Sequence, residues 1–147
     1  MIEVNVSDSL TREQIRKLSK FMGDFTAPLK DMGIYALRSI DLNYQQQGRP
    51  NHWQQSNAAK KRNGMTLVET GRLRRSTQVS ADGNIQSADK SYNLTKTQIK
   101  IGTEVPYYYN VYKNKENSLH ARYPAIILQE EDIPIFQNIM IRHIDNL

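Results

Sequence analysis

Six cationic side chains crowd the middle of the chain: Lys60, Lys61 and Arg62, then Arg72, Arg74 and Arg75 after a spacer ending in Glu69, Thr70 and Gly71. Side chains of this kind neutralise phosphates, and Trp53, the single tryptophan, stands ahead of them as a surface on which a base could stack. Equally, a guanidinium pairs with a carboxylate through two parallel hydrogen bonds, which is protein-interface chemistry. The intervening residues are Gln, Asn and Ser rather than several interleaved aromatics. A solvated loop, a protein interface and direct nucleic-acid contact therefore all stay open on residue type alone.

Catalytic patterns are scarce. His52, His120 and His143 fall in different segments without the spacing that sets a metal pair on one helix face. A hydrolase using His52 or His120 would need a spatial cluster that this spacing does not indicate. Glu130, Glu131 and Asp132 read as a solvated helix entrance, because carboxylates favour the positive end of a helix dipole. Gly71, Gly83 and Gly102 are isolated and form no phosphate-cradling loop, and no strained nucleophile turn is present. With Cys at 0, disulfides, thiolate nucleophiles and cysteine metal sites are excluded. The expectation is a non-enzymatic protein with no metal and no cofactor.

A chain of 147 residues has the length of one domain, able to bury roughly 70% of its unfolded surface. Its mean hydropathy of -0.68 implies a very polar exterior. No window approaches the run of about 20 apolar residues that a membrane helix needs, and the first residues lack a basic-then-apolar secretory design. The expected location is the cytosol in which the chain is made, with no membrane partner. The net charge of +5 favours a polyanion or an acidic protein face as partner. Basic residues in the middle and acidic ones near the end would let copies pair head to tail, which is how rings close.

The elements that must position these residues follow from periodicity. Ile2, Val4 and Val6 alternate as in a short strand. Thr11-Arg12-Glu13-Gln14 reads as a capping box, followed by Ile15, Leu18, Met22 and Phe25 at helical spacing and a stop at Gly23-Asp24. Thr26-Ala27-Pro28 opens a second helix whose core-facing stripe is Leu29, Met32, Ala36, Leu37, Ile40 and Tyr44. Residues 48–64 form a long loop, or a loop with one irregular turn, of a length that is uncommon unless the segment binds something or stays disordered until it does. Leu73, Thr77, Val79 and Ala81 alternate as a strand, the polar stretch around Asp89 and Lys90 reads as a hairpin or a loop, and Gln98 to Thr103 alternate again. Pro106 starts a short helix through Tyr112, His120 to Leu128 is extended, and Asp132 caps a terminal helix that buries Ile133, Phe136, Ile139, Met140 and Ile144. The fold class is therefore α+β: an antiparallel sheet flanked by two N-terminal helices and a C-terminal helix, with a long basic loop.

One order of motifs stands out: Gly48-Arg49-Pro50 ahead of Trp53, a Lys/Arg loop, Leu67-Val68-Glu69-Thr70-Gly71-Arg72-Leu73-Arg74-Arg75-Ser76, Ile101-Gly102-Thr103, Pro106-Tyr107-Tyr108-Tyr109, and Ala121-Arg122. It resembles the Mu-type phage virion-morphogenesis family, also described as tail-completion proteins, over most of the chain. Thr70 to Ser76 carries most of the likeness. Where that family has a histidine and a closing glycine the chain has Val111-Tyr112-Lys113-Asn114, and Tyr123 intervenes between Arg122 and Pro124. The resemblance implies one virion-morphogenesis domain over 1–147 that works as a ring of identical copies. It would complete the head-proximal end of a phage or prophage tail or the head-tail junction, beside other tail or neck proteins. It would be assembled in the host bacterial cytoplasm and retained in the virion. Thr70, Gly71, Arg72 and Leu73 would then form the turn anchoring the basic loop, with Gly71 for backbone geometry, Leu73 for packing and Arg72 for a bidentate carboxylate contact. Trp53, Lys60, Lys61, Arg62, Arg74, Arg75 and Arg122 would complete the interface motif. The alternative is a basic nucleic-acid-binding module using the Lys60–Arg75 region, with any DNA contact independent of sequence.

Overall fold

A long central helix organises the chain. The computed structural model describes the backbone of residues 9–109 and 118–147 and the side chains of residues 12–108 and 118–147. α1 (Ser9–Met22) leads through Gly23 and Asp24 into α2 (Thr26–Gln45). Asp24 opens α2, since its Oδ1 accepts from the Thr26 amide at 2.9 Å and the Thr26 hydroxyl at 2.5 Å. Those two bonds hold the Asp24 carboxyl below its ordinary range. Pro28 fits in the first turn because an amide there would lack a helical acceptor anyway.

β1 (Lys90–Leu94) and β2 (Ile99–Thr103) form a two-stranded antiparallel sheet, with Tyr92 opposite Ile101 and Lys90 opposite Thr103. The hairpin lies against α2, where a side chain at Gly33 would run into Ile99 Cδ1. On another side, α7 (Asp132–Asp145) packs on α2 through an edge-to-face Tyr35–Phe136 pair at 5.7 Å and a 2.7 Å contact between His143 Nε2 and Asp31 Oδ2. Short helices α3 (Asn57–Lys61), α4 (Arg72–Arg75), α5 (Pro106–Tyr109) and α6 (Leu119–Arg122) complete the described elements. The fold is α+β, with two N-terminal helices, a C-terminal helix and an antiparallel sheet. Ile40 and Tyr44 from α2 meet Leu73, Val105, Tyr108 and Ala125 in the buried core.

Several local expectations change. Leu73 to Ala81 is not a strand. Gly71 turns the backbone, Arg72–Arg75 close a helical turn, and of the alternating run only Val79 pairs, in an isolated bridge to Ile85. Of the two readings open for the stretch around Lys90 the hairpin holds: Lys90 opens β1, and among the described residues the sheet is built from residues 90–103. The turn left open within the 48–64 loop is α3, started by Ser56 Oγ accepting from the Ala59 amide at 3.1 Å. His120 to Leu128 is not extended throughout, because Ser118 caps α6 through its hydroxyl.

Two helical stripes are also less buried than their periodicity suggests. Ile15, Leu18 and Met22 of α1 are exposed, and on α7 Ile139 is buried while Ile133 and Ile144 face solvent. Asp132 is not part of a solvated entrance but 1% exposed. The strand expected at Met1 to Val6, the capping side chain of Thr11, and the tyrosines Tyr109 and Tyr112 lie outside the residues whose side chains are described.

Candidate functional site: a basic cleft beside the Thr70–Ser76 corner

The corner is built from backbone geometry outward. Gly71 sits at φ 77°, in the left-handed region, and its carbonyl accepts the Arg75 amide at 2.9 Å. Leu73, one turn in, is 1% exposed and enters the core. Ser76 Oγ donates to the Leu73 carbonyl at 2.6 Å and lies 2.6 Å from the Thr103 hydroxyl at the end of β2, tying the corner to the sheet.

Arg72 forks onto Asp89, with Nε–Oδ2 and Nη2–Oδ1 both at 2.8 Å. This hydrogen-bonded pairing keeps the Asp89 carboxyl below its ordinary range and raises the guanidinium. Arg74 forks in the same way onto Asp41 of α2, at 2.7 and 3.1 Å. Arg75 Nη1 donates to the Thr70 carbonyl at 3.1 Å, and Arg62 Nη2 to the Met65 carbonyl at 2.5 Å. Four of the six central cations therefore have acceptors within the chain, whereas Lys60 and Lys61 extend from α3 into solvent. Residue spacing alone does not separate these two groups.

Trp53 anchors the other end of the loop. Its ring packs edge-on between Tyr44 at 6.4 Å and Tyr123 at 6.1 Å, and its amide donates to the Gln47 carbonyl at 2.6 Å. Gln47 also clamps Thr66 from both sides, accepting the Thr66 amide at 2.6 Å and donating to its carbonyl at 3.2 Å. The long segment is thus hydrogen-bonded closed.

A residue named only within the Gly48-Arg49-Pro50 motif proves central. Arg49, preceding a cis proline, donates from Nε to Asn43 Oδ1 at 2.8 Å, from Nη1 to Glu131 at 2.7 Å, and from Nη2 to both the carbonyl and the hydroxyl of Ser39 at 3.0 and 2.6 Å. Ser39 in turn donates to the Asp132 carboxylate at 2.8 Å, which also accepts the Gln129 amide at 2.8 Å. This buried network joins the loop, α2 and the start of α7. Of the acidic cluster near the end, Asp132 is buried in this network, whereas Glu131 pairs with Arg49 from an exposed position and Glu130 faces solvent.

Between the loop, the corner, α5 and α6 opens a cleft of about 900 Å³. Lys60, Arg62, Arg72 and Arg122 are on its walls, Leu67, Leu73 and Leu119 supply an apolar floor, and Tyr107 and Tyr123 stand beside Gln54 and Gln55. Glu69 is the one carboxylate among the lining residues. Arg122 also stacks over the Tyr123 ring at 5.7 Å. Of the residues singled out by sequence, Lys60, Arg62, Thr70, Arg72, Leu73 and Arg122 meet here, while Trp53, Lys61, Gly71, Arg74 and Arg75 are not in the lining. Mixed cationic, amide and apolar walls suit a carboxylate-bearing protein segment, and the volume falls within the ~300–1,000 Å³ of ordinary ligand clefts.

The histidines stay apart: His52 Nδ1 donates to the Gln46 carbonyl at 2.7 Å, His120 Nδ1 lies 3.1 Å from the Tyr108 hydroxyl, and His143 contacts Asp31. Burial lowers the His120 pKa. Among the described residues no group of three or more metal-ligating side chains converges, and no helix is long and apolar enough to cross a membrane. No family model, no curated protein and no solved structure matches the chain.

Proposed function

We propose that the protein is a non-enzymatic structural component of a bacteriophage or prophage virion. In this reading it acts at the head-proximal end of the tail or the head-tail junction, as a ring of identical copies. The order of motifs from Gly48 to Arg122 supports this reading at the level of sequence. At the level of structure the reading rests on one observation: the Thr70–Ser76 corner is locked at three points, to the core by Leu73, to Asp89 by Arg72 and to β2 by Ser76. The cleft it walls is therefore a preorganised surface, which lowers the ordering cost of docking another virion protein.

Direct DNA binding fits the same region less well, because Arg62, Arg72, Arg74 and Arg75 already have acceptors within the chain. Particles made from the encoding phage genome with Arg72→Ala and Leu73→Asp should lose infectivity. Unchanged titre with the variant chain incorporated would refute the assignment.

A further inference from the structure

We propose that α1 of one copy seats its apolar stripe in an open groove on a second copy, forming the head-to-tail contact between subunits. The inference deepens the ring reading above and rests on it for the identity of the occupant.

Among the described residues, two apolar surfaces on one chain lack a cover. On α1, Ile15 is 53%, Leu18 42% and Met22 62% exposed, at the i, i+3, i+7 spacing with which a helix fills a groove. The opposite surface is a groove of about 360 Å³ between α2, β2, residues 126–128 and α7, lined by Met32, Ala36, Ile99, Ile126, Leu128 and Phe136. An apolar cavity of ~150 Å³ accommodates a benzene-sized group, so this one has room for about two large side chains. Its rim continues outward through Leu128 and Ile133, which are 53% and 56% exposed.

Charge matches as well. Residues 12–20 of α1 carry Arg12, Arg16, Lys17 and Lys20 against Glu13, a net +3 from four cations and one carboxylate. Two residues beyond Leu128, which lines the groove, the exposed Glu130 offers a carboxylate, and next to it Glu131 is 68% exposed while paired with Arg49. No described α1 residue lines this groove in its own chain, and the link to α2 is fixed, the Phe25 amide donating to the Lys96 carbonyl at 2.8 Å and Asp24 bonded on both sides, to Phe21 and to Thr26. A surface complementary to a different surface of the same chain makes a heterologous contact, which propagates into a ring or a filament.

The chain has Cys 0, so introduced cysteines report without background. Single variants Ile15→Cys, Leu18→Cys or Met22→Cys are each mixed with Leu128→Cys and oxidised. The mixture should give a covalent product of twice the 17.0 kDa chain mass, in greater yield than either variant alone. Separately, Ile15→Asp with Leu18→Asp should keep the helical circular dichroism of the parent and weaken self-association in light scattering at least tenfold.

Self-association unchanged by the double variant would overturn the contact while leaving the virion role intact, since that role is read on particles. A disulfide that forms only within a chain carrying both cysteines, or a parent that stays at 17.0 kDa at every concentration, would also overturn it.

Discussion

Arg72 and Asp89 face one another as a two-pronged pair, both N–O distances 2.8 Å, across the base of the Thr70–Ser76 corner. Arg74 and Asp41 repeat the arrangement one face away. The basic stretch of the sequence is thus largely a set of internal struts. Its outward charge is carried by Lys60, Lys61 and the rim of the cleft.

The salt dependence of any DNA binding follows from that division. Each phosphate neutralised contributes about -0.9 to the slope of log affinity against log salt. Two free lysines give about -2, whereas six engaged cations would give about -5. Fluorescence anisotropy with a random-sequence duplex between 50 and 200 mM salt should return the shallower slope, with little binding at the upper end. A steep slope with retained affinity would show that the arginines leave their carboxylate and carbonyl acceptors for phosphate.

Arg49→Ala should be among the most destabilising single changes. It removes the Arg49 donors from Ser39 and from Asn43 Oδ1, which keeps only the 3.3 Å bond from Gln129 Nε2, and leaves Glu131 without its cation, in a site where the Arg49 side chain is 11% exposed. A loss of about 3 kcal/mol in urea denaturation is expected. Arg49→Lys should not restore it, because an ammonium cannot reproduce the fork. A loss below about 0.5 kcal/mol would mean that water replaces the network readily.

Gly48 stands at φ 113°, and a Cβ there would come 2.5 Å from the Asn51 carbonyl oxygen and 2.7 Å from the Trp53 nitrogen. Gly48→Ala should cost on the order of 3 kcal/mol and alter the near-ultraviolet dichroism of Trp53, since strained backbone and collision add. A variant with parental stability and spectrum would contradict the described loop.

Asp41 sets an acid limit on stability. Burial pushes its carboxyl up from the ordinary 3.8, but hydrogen bonds from Arg74 and Gln45 and the charge of Arg74 outweigh that and hold it lower. A depressed folded-state value stabilises fully above the unfolded value, and that stabilisation is lost as pH falls through the folded one. Asp41→Asn should therefore be less stable than the parent by about 1–2 kcal/mol at pH 7. The gap should shrink as pH falls below the ordinary 3.8, so that it is smaller at pH 3 than at pH 7. A gap of equal size at both pH values would assign the effect to packing.

The large elements were legible because their signals are local. Pro28 and the α2 stripe, the Ile99–Thr103 alternation and the terminal helix each depend on spacing within one segment. Leu73 to Ala81 misled for a physical reason: alternation of apolar and polar residues also arises when a helical turn points Leu73 inward and the next turn buries Ser76 and Thr77. Partnerships across the chain left no such trace. Nothing near Arg49 announces Glu131, 82 residues away, and nothing near Arg72 announces Asp89. Exposure of Ile15 and Ile133 was likewise hidden, because periodicity reports that a helix has an apolar face and not what covers it.

The proposed virion role is tested most directly by comparing particles produced from the genome that encodes the chain with and without residues 70–76, scoring infectious titre and viewing the lysate by electron microscopy. The account predicts a titre lower by orders of magnitude, with heads and tails accumulating apart. Joined, infectious particles at parental titre would contradict it.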